Sequence, residues 1–134
     1  MSRDNFLDTL ATHQTPGVLC TSDGKGEVNA AIFGSVRLLD KQTIVIGLGD
    51  NRTCENLLKN PKATYVFFEP GPNMLTWRGA RLYLEATKFE NSGELLEQII
   101  AETEAVAGKM AASMLKTVVH FNITDVRPLI DLSR

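Results

Sequence analysis

The stretch Gly47-Leu48-Gly49-Asp50-Asn51-Arg52-Thr53 gathers backbone amides, a hydroxyl and a guanidinium at the start of a short helical pattern. The first amides of a helix have no partner within it, and the helix dipole favours negative charge at that end. Anion binding is the chemistry these residue types suit. A phosphate would gain a few tenths to about 2 kcal/mol from the helix terminus, and charge-assisted bonds from Arg52 and Thr53 would add roughly 1.5–3 kcal/mol each. The same residues also read as an ordinary capped surface helix, with Arg52 in water and Leu57 and Leu58 packed inward. Gly47-x-Gly49 is not a dinucleotide fingerprint, because the third glycine is missing, and no Gly-Lys-Ser/Thr follows to make a nucleotide-hydrolysing loop.

Elsewhere no nucleophile or acid–base pair is legible. His13 ends a surface helix and His120 lies in a strand pattern, and no readable motif places a carboxylate or thiol beside either, so both read as structural. Glu85, Glu90, Glu94 and Glu97 read as a solvated acidic face rather than a metal site. Cys20 and Cys54 stand in different predicted elements with no CxxC and no His cluster, which excludes a readable zinc site or disulfide framework and leaves them as packing residues.

The elements that must position the turn follow from periodicity. Residues 3 to about 13 carry Phe6, Leu7, Leu10 and Ala11 at helical spacing, behind Ser2 and Asp4 as caps, which predicts a helix ending before Pro16-Gly17 and covering one end of a sheet. A turn-rich run, Ser22-Asp23-Gly24-Lys25-Gly26, separates Val18–Thr21 from Glu27–Phe33 and predicts a β-hairpin. Val36–Leu39 and Thr43–Gly49 predict a second, whose last strand is apolar on both faces and so needs cover on both sides. Asn60-Pro61 stops the helix after the turn. Strands are then predicted over Lys62–Glu69 and Leu75–Phe89, the latter with a bulge or bend at Gly79. A helix over Ser92–Val106 follows, then β pattern at Val118–Ile123 and Val126. Connections between the early strands are too short for crossover helices, which excludes a doubly wound parallel sheet. Five or six antiparallel strands with three helices outside predict an α+β, mainly β, small closed or partly open barrel.

The 134 residues, 43% apolar and 22% charged, suit a single domain spanning residues 1–134. Fourteen Lys and Arg against sixteen Asp and Glu leave a charge of −2, too balanced for the basic footprint of a nucleic-acid binder. No apolar run approaches the roughly 20 residues that span a bilayer, and the N-terminus lacks a signal-type stretch, so a cytoplasmic protein away from membranes is expected.

With this element order, the strand Thr43–Gly49 running into Asn51-Arg52-Thr53, then Asn56-Leu57, Asn60-Pro61 and an aromatic-rich strand, the chain resembles the pyridoxamine 5'-phosphate oxidase-like FMN-binding split-barrel superfamily, in particular its short flavin-binding members. The resemblance covers about residues 16–89. It implies an antiparallel split β-barrel with flanking short helices, one FMN held noncovalently near the boundary of a homodimer, and Arg52 and Thr53 as phosphate ligands, assisted by Asn51 and the backbone at Leu48 and Gly49. It also places the strand Val28-Asn29-Ala30-Ala31-Ile32 along the ring and ribityl chain. Small side chains there suit close approach, with Asn29 and Ala31 on one face and Ala30 and Ile32 on the other. Trp77 and Tyr83 either stack on a flavin from the second protomer or serve as barrel-core or interface aromatics.

The implied activity is that of a small FMN-dependent oxidoreductase exchanging hydride or electrons at flavin N5 with a small-molecule redox partner or an electron-transfer protein. A non-catalytic flavin carrier and a deazaflavin-dependent relative are the alternatives. Thr53 stands where the full-length oxidases carry Lys, and Asp125–Asp131 does not reproduce their Arg/His cluster, so oxidation of the vitamer is not implied.

Overall fold

The computed structural model describes residues 3–12, 16–34 and 36–131. Helix α1 (Arg3–Thr12) buries Phe6, Leu7 and Leu10 against the main core, at the spacing that put them on one face. The proposed cap Ser2 and the histidine at position 13 lie outside the described residues. Strands β1 (Gly17–Ser22) and β2 (Val28–Phe33) form the first hairpin. Its turn is held by Asp23, whose carboxylate accepts from the amides of Lys25 at 2.7 Å and Glu27 at 3.2 Å. Strands β3 (Val36–Asp40) and β4 (Thr43–Leu48) form the second. Helix α2 (Arg52–Lys59), β5 (Lys62–Glu69), β6 (Arg78–Glu90), helices α3 (Glu94–Ala107) and α4 (Lys109–Ser113), and β7 (Thr117–Pro128) complete the chain.

All strand pairs are antiparallel, and they join into one seven-stranded sheet in the order β2-β1-β5-β6-β7-β4-β3. The two edge strands, β2 and β3, are consecutive in the chain. From Phe33 to Val36 the backbone can reach at most roughly 11 Å, so the two ends of the sheet must curl toward each other. Among the described residues they do not pair, which leaves a barrel split between β2 and β3. No helix among the described residues is long and apolar enough to cross a membrane.

Burial follows the predicted faces. On β4, Ile44, Ile46 and Leu48 enter the main core, while Val45 packs on the other side with Val118 of β7 and with Leu96 and Ile99 of α3. That is the two-sided cover its apolar run requires.

Several expectations are corrected. Among the described residues there are seven strands rather than five or six, since each of the β-patterned segments pairs in the sheet, the C-terminal one as a single continuous strand that pairs with both β4 and β6. Leu75 and Thr76, expected to open the long strand, belong instead to a 3₁₀ turn over Met74–Thr76. Asn73 caps it by accepting from the Leu75 amide at 3.0 Å, and β6 begins only at Arg78. Helix α4 is a fourth helix, set off from α3 by Gly108 at φ 93°. Gly79 keeps register with Phe68. The ladder irregularities of β6 lie further on, at Tyr83/Leu84 and Ala86/Lys88. Gly79 is required for a different reason: at φ 148° a Cβ there would sit 2.0 Å from the Phe67 carbonyl oxygen.

Tyr65 fastens the split edge. Its ring is buried in the core and its hydroxyl donates to the Phe33 carbonyl at 3.1 Å, at the last residue of β2. Burial pushes its pKa up to about 12, against an ordinary value of 10. A folded-state pKa raised in this way gives stability that is complete below pH 10 and is lost as pH rises toward 12. The two-unit gap corresponds to about 2–3 kcal/mol. Urea unfolding at pH 9 and at pH 11.5 should therefore show a pH-dependent loss of about that size, and Tyr65→Phe should remove most of the dependence.

Candidate functional site

The start of α2 is built by its cap. Asn51 is extended, at φ −142° and ψ 178°, its side-chain oxygen accepts from the Cys54 amide at 3.0 Å, and its carbonyl takes the Glu55 amide. That accounts for the third and fourth amides of the turn. The amides of Arg52 and Thr53 are left without a partner among the described residues, as the geometry of a helix start requires. Arg52 is exposed beside them. Burial pushes the pKa of the Cys54 thiol up, and the charges of Asp50 and Glu55 add to the rise, which disfavours the thiolate.

The two segments that sequence reading held apart are bonded to each other. Thr53 is 1% exposed, and its hydroxyl accepts from the Asn29 side-chain amide of β2 at 3.3 Å. One helical turn on, the buried Asn56 donates to the hydroxyl of Thr21 on β1 at 3.1 Å. Thr21 and Asn29 are themselves directly opposed across the β1–β2 ladder. An i, i+3 pair on the helix thus meets a cross-strand pair on the sheet, and each side supplies one Thr and one Asn. Thr21 and Asn56 were not among the expected site residues. The alternation Leu19-x-Thr21 and the spacing Thr53-x-x-Asn56 are the signals that could have found them.

The remaining candidates distribute as follows. Asn29 and Ala31 face α2 and are half-buried, whereas Val28, Ala30 and Ile32 lie exposed on the opposite, outer face of β2. Beside Val28 that outer face holds a cleft of about 540 Å³ walled by Cys20, Ser22, Thr64 and Tyr83. Leu48 has its side chain fully buried in the core, and its carbonyl is taken by the Lys116 amide, so it offers little beyond backbone position. A Cβ at Gly49 would meet the Met114 carbonyl oxygen at 2.7 Å, which explains the glycine without a ligand.

Trp77 is not brought to this turn. It stacks on Phe68, with ring centroids 5.0 Å apart, and Phe68 lies five residues, about 17 Å, along β5 from Ala63, the partner of Thr21. Tyr83 instead accepts from Arg81 at 3.3 Å, at the edge of a second, polar cleft lined also by Asp125, Arg127 and Asp131.

Two further readings are corrected. Cys20 is exposed on the outer face of β1, because the alternation that buries Leu19 and Thr21 turns it outward; Cys54 does pack against the core. Glu90 is not merely part of a solvated acidic face, nor does His120 lack a carboxylate. The β6–β7 ladder sets Lys88 opposite His120 and Glu90 opposite Val118, and the His120 Nε2 is hydrogen-bonded to the Glu90 carboxylate. That register is invisible in local spacing.

No family profile and no curated protein matches the sequence. Solved structures do. An FMN-binding protein from Syntrophomonas wolfei subsp. wolfei superposes with a TM-score of 0.77 at 22% identity, covering 97% of this chain and 95% of that one. A pyridoxamine 5'-phosphate oxidase-like protein from Listeria innocua gives a TM-score of 0.71 at 20% identity, with coverage of 95% and 97%. The chain has the pyridoxamine 5'-phosphate oxidase-like split-barrel fold. HutZ, the heme storage protein of Vibrio cholerae, shares that split barrel with a TM-score of 0.64 at 18% identity over 98% of this chain and 93% of its own. The barrel is therefore common to proteins described by different ligands, and the residues at the site must decide which one applies here.

The Glu90–His120 contact gives a pH signature independent of any ligand. The bond from His120, reinforced by Lys88, holds the Glu90 carboxyl below its ordinary value of 4.5. For a carboxyl depressed in this way, the contribution to stability is complete above the ordinary value and fades as pH falls through the lowered one. Carbon-detected NMR titration should place the Glu90 carboxyl below its ordinary value of 4.5, and His120→Ala should raise it.

Proposed function

We propose that the chain is an FMN-binding flavoprotein whose phosphate anchor is the start of α2, acting as a small FMN-dependent oxidoreductase. The observation that carries this reading is the Asn29–Thr53 bond. It joins the strand read as the flavin strand to the turn read as the phosphate site, beside two amides left over at the helix start and the exposed guanidinium of Arg52. This donor set suits a phosphate monoester: two N–H groups aligned with the helix dipole and an arginine fork. The small residues Ala30 and Ala31 allow a flat ring to approach the backbone of β2, and Val28 and Ile32 supply apolar cover on one face. Against the donors stand the carboxylates of Asp50 and Glu55, whose repulsion of the phosphate is screened as ionic strength rises, so binding should depend less on salt than an arginine anchor alone would make it.

The chemistry such a cofactor supplies when bound is hydride or electron exchange at N5. Arg52, Thr53, Asn29 and Asn51 bind and orient. They do not exchange protons with a substrate. The similarity to an FMN-binding protein of near-identical extent supports the choice of flavin, and the heme-storing relative makes heme the competing outcome.

The purified protein should be yellow and should quench FMN fluorescence on titration. Arg52→Ala should raise the Kd for FMN about 10- to 100-fold, the loss of one charge-assisted contact, while leaving the circular dichroism spectrum unchanged. Tight binding of hemin or of a deazaflavin with no measurable affinity for FMN would overturn the reading. Anaerobic reduction by NADH or NADPH, followed by repeated turnover with an acceptor panel, distinguishes the oxidoreductase from a carrier.

The same reading includes a homodimer through the outer face of the sheet. Val28 and Ile32 are 78% and 72% exposed on the unpaired edge strand, and the β1–β2–β5 registers set Val18 and Val66 on the same face. Exposed apolar strips of this kind are interface material. Light scattering should give twice the 14.7 kDa of one chain, and Ile32→Arg should yield a folded monomer.

A further inference from the structure

Four side chains fasten α2 to the sheet: Thr21, Asn29, Thr53 and Asn56. Three of them, Thr21, Thr53 and Asn56, are 4%, 1% and 6% exposed. A buried polar group without a partner is costly, so Thr and Asn at these positions are tolerated because each meets another. The helix could have been held by leucines, as Leu57 shows one position further on. Directional bonds do something that apolar packing does not. They fix rotation about the helix axis and translation along it, because donor and acceptor must meet within about 3.5 Å.

Proton accounting leaves a donor free at the helix start. A threonine hydroxyl can accept twice and donate once. The Thr53 oxygen accepts from Asn29, and among the described residues no acceptor meets the Thr53 proton. A side chain that is 99% buried therefore keeps an unused donor in the first turn of α2, next to the unpartnered amides of Arg52 and Thr53.

We propose that Thr21 and Asn56 are positioning residues of the anion site: through the Asn56–Thr21 bond and the opposed Asn29–Thr53 bond they set the start of α2 against β2, so that the Thr53 hydroxyl proton and the two free amides converge on one phosphate ester. This rests on the reading of that turn as the phosphate anchor. The lattice acts on the phosphate end of the ligand and not on its ring, so it determines the preference for a phosphorylated flavin over the same ring system without phosphate.

The test compares Kd values for FMN and for riboflavin, by fluorescence titration of the full chain. Thr21→Val and Asn56→Ala should each weaken FMN binding about tenfold or more, roughly the loss of one aligned donor, while riboflavin binding stays within about twofold. Thr21→Ser, which keeps the hydroxyl, should restore FMN binding to about the native value. Equal losses for both flavins would reveal a merely structural role and overturn the proposal, as would unchanged FMN binding.

Arg52→Ala is the control for the underlying reading. If it abolishes the preference for FMN while Thr21→Val and Asn56→Ala do not, the positioning role alone falls; if it leaves the preference intact, the phosphate site falls and the positioning role with it. A second measurement needs no variant. In ¹⁵N spectra of the native protein, the side-chain amide signals of Asn29 and Asn56 should shift on addition of FMN and much less on addition of riboflavin, and signals that respond equally or not at all would overturn the proposal.

Discussion

The sheet ends at β2, and most of what is distinctive in this molecule depends on how that edge is held. An edge strand has one ladder and one row of unpaired backbone groups, which makes it the least constrained part of a β protein. Here it must also stay close to β3, to which it is joined by only two residues. Three devices restrain it: the ladder to β1, the Tyr65 hydroxyl on the Phe33 carbonyl at one end, and the Asn29 amide on Thr53 toward the other. Closing the barrel fully would pair β2 with β3 and consume the edge. Keeping it split leaves β2 available to something outside the fold while holding it in register.

The electrostatic design of the α2 start is local rather than global. With a charge of −2 the chain has no field to draw anions from a distance, and Asp50 and Glu55 bracket the turn itself. On the proposed reading, selectivity for an anion must then come from oriented donors at short range, where a hydrogen bond outweighs screened repulsion between exposed charges. That explains why so many of the polar atoms near the turn are spent on orientation. Asn51 caps and Asn29 donates to Thr53, which leaves Arg52, two amides and the Thr53 hydroxyl proton for a ligand among the described residues. It is an arrangement that favours a bound group of fixed shape over a diffuse ion.

Legibility from the chain tracked the range of the interaction. Elements set by neighbours within a few residues could be read closely. The Ser22–Gly26 turn, the capped start of α2, the stop at Asn60-Pro61 and the two-sided burial of β4 all stand where their local chemistry put them. Features set by register between distant strands could not. Nothing near Glu90 announces His120, thirty residues away, and nothing near Thr21 announces Asn56, thirty-five residues away. Errors of intermediate range have their own causes. Residues 74–76 have apolar and β-type side chains, yet the Asn73 side chain offers the backbone a competing turn, and the turn wins. Cys20 reads as a packing residue because no CxxC or His cluster accompanies it, although period-two alternation sets it on the face opposite Leu19.

The relation between fold and ligand follows from the same distinction. The barrel is shared with proteins described by FMN and by heme, so curling, sheet order and core packing cannot choose between a phosphorylated flavin and a porphyrin. Both are flat, and both can lie on an apolar strand of small residues such as Val28–Ile32. What separates them chemically is the polar end. A heme needs an axial ligand to iron, usually a histidine, cysteine, methionine or tyrosine side chain held at one point, whereas a flavin phosphate needs several convergent N–H and O–H donors. Around the start of α2 the described residues provide the second set: two amides, a guanidinium, a carboxamide and a hydroxyl. His120, the histidine whose position is described, is engaged with Glu90 on the β6–β7 ladder. On the proposed reading, a flavin is preferred through the type and convergence of donors on one helix terminus, two backbone amides and three side chains, and the fold contributes the precision with which they are held.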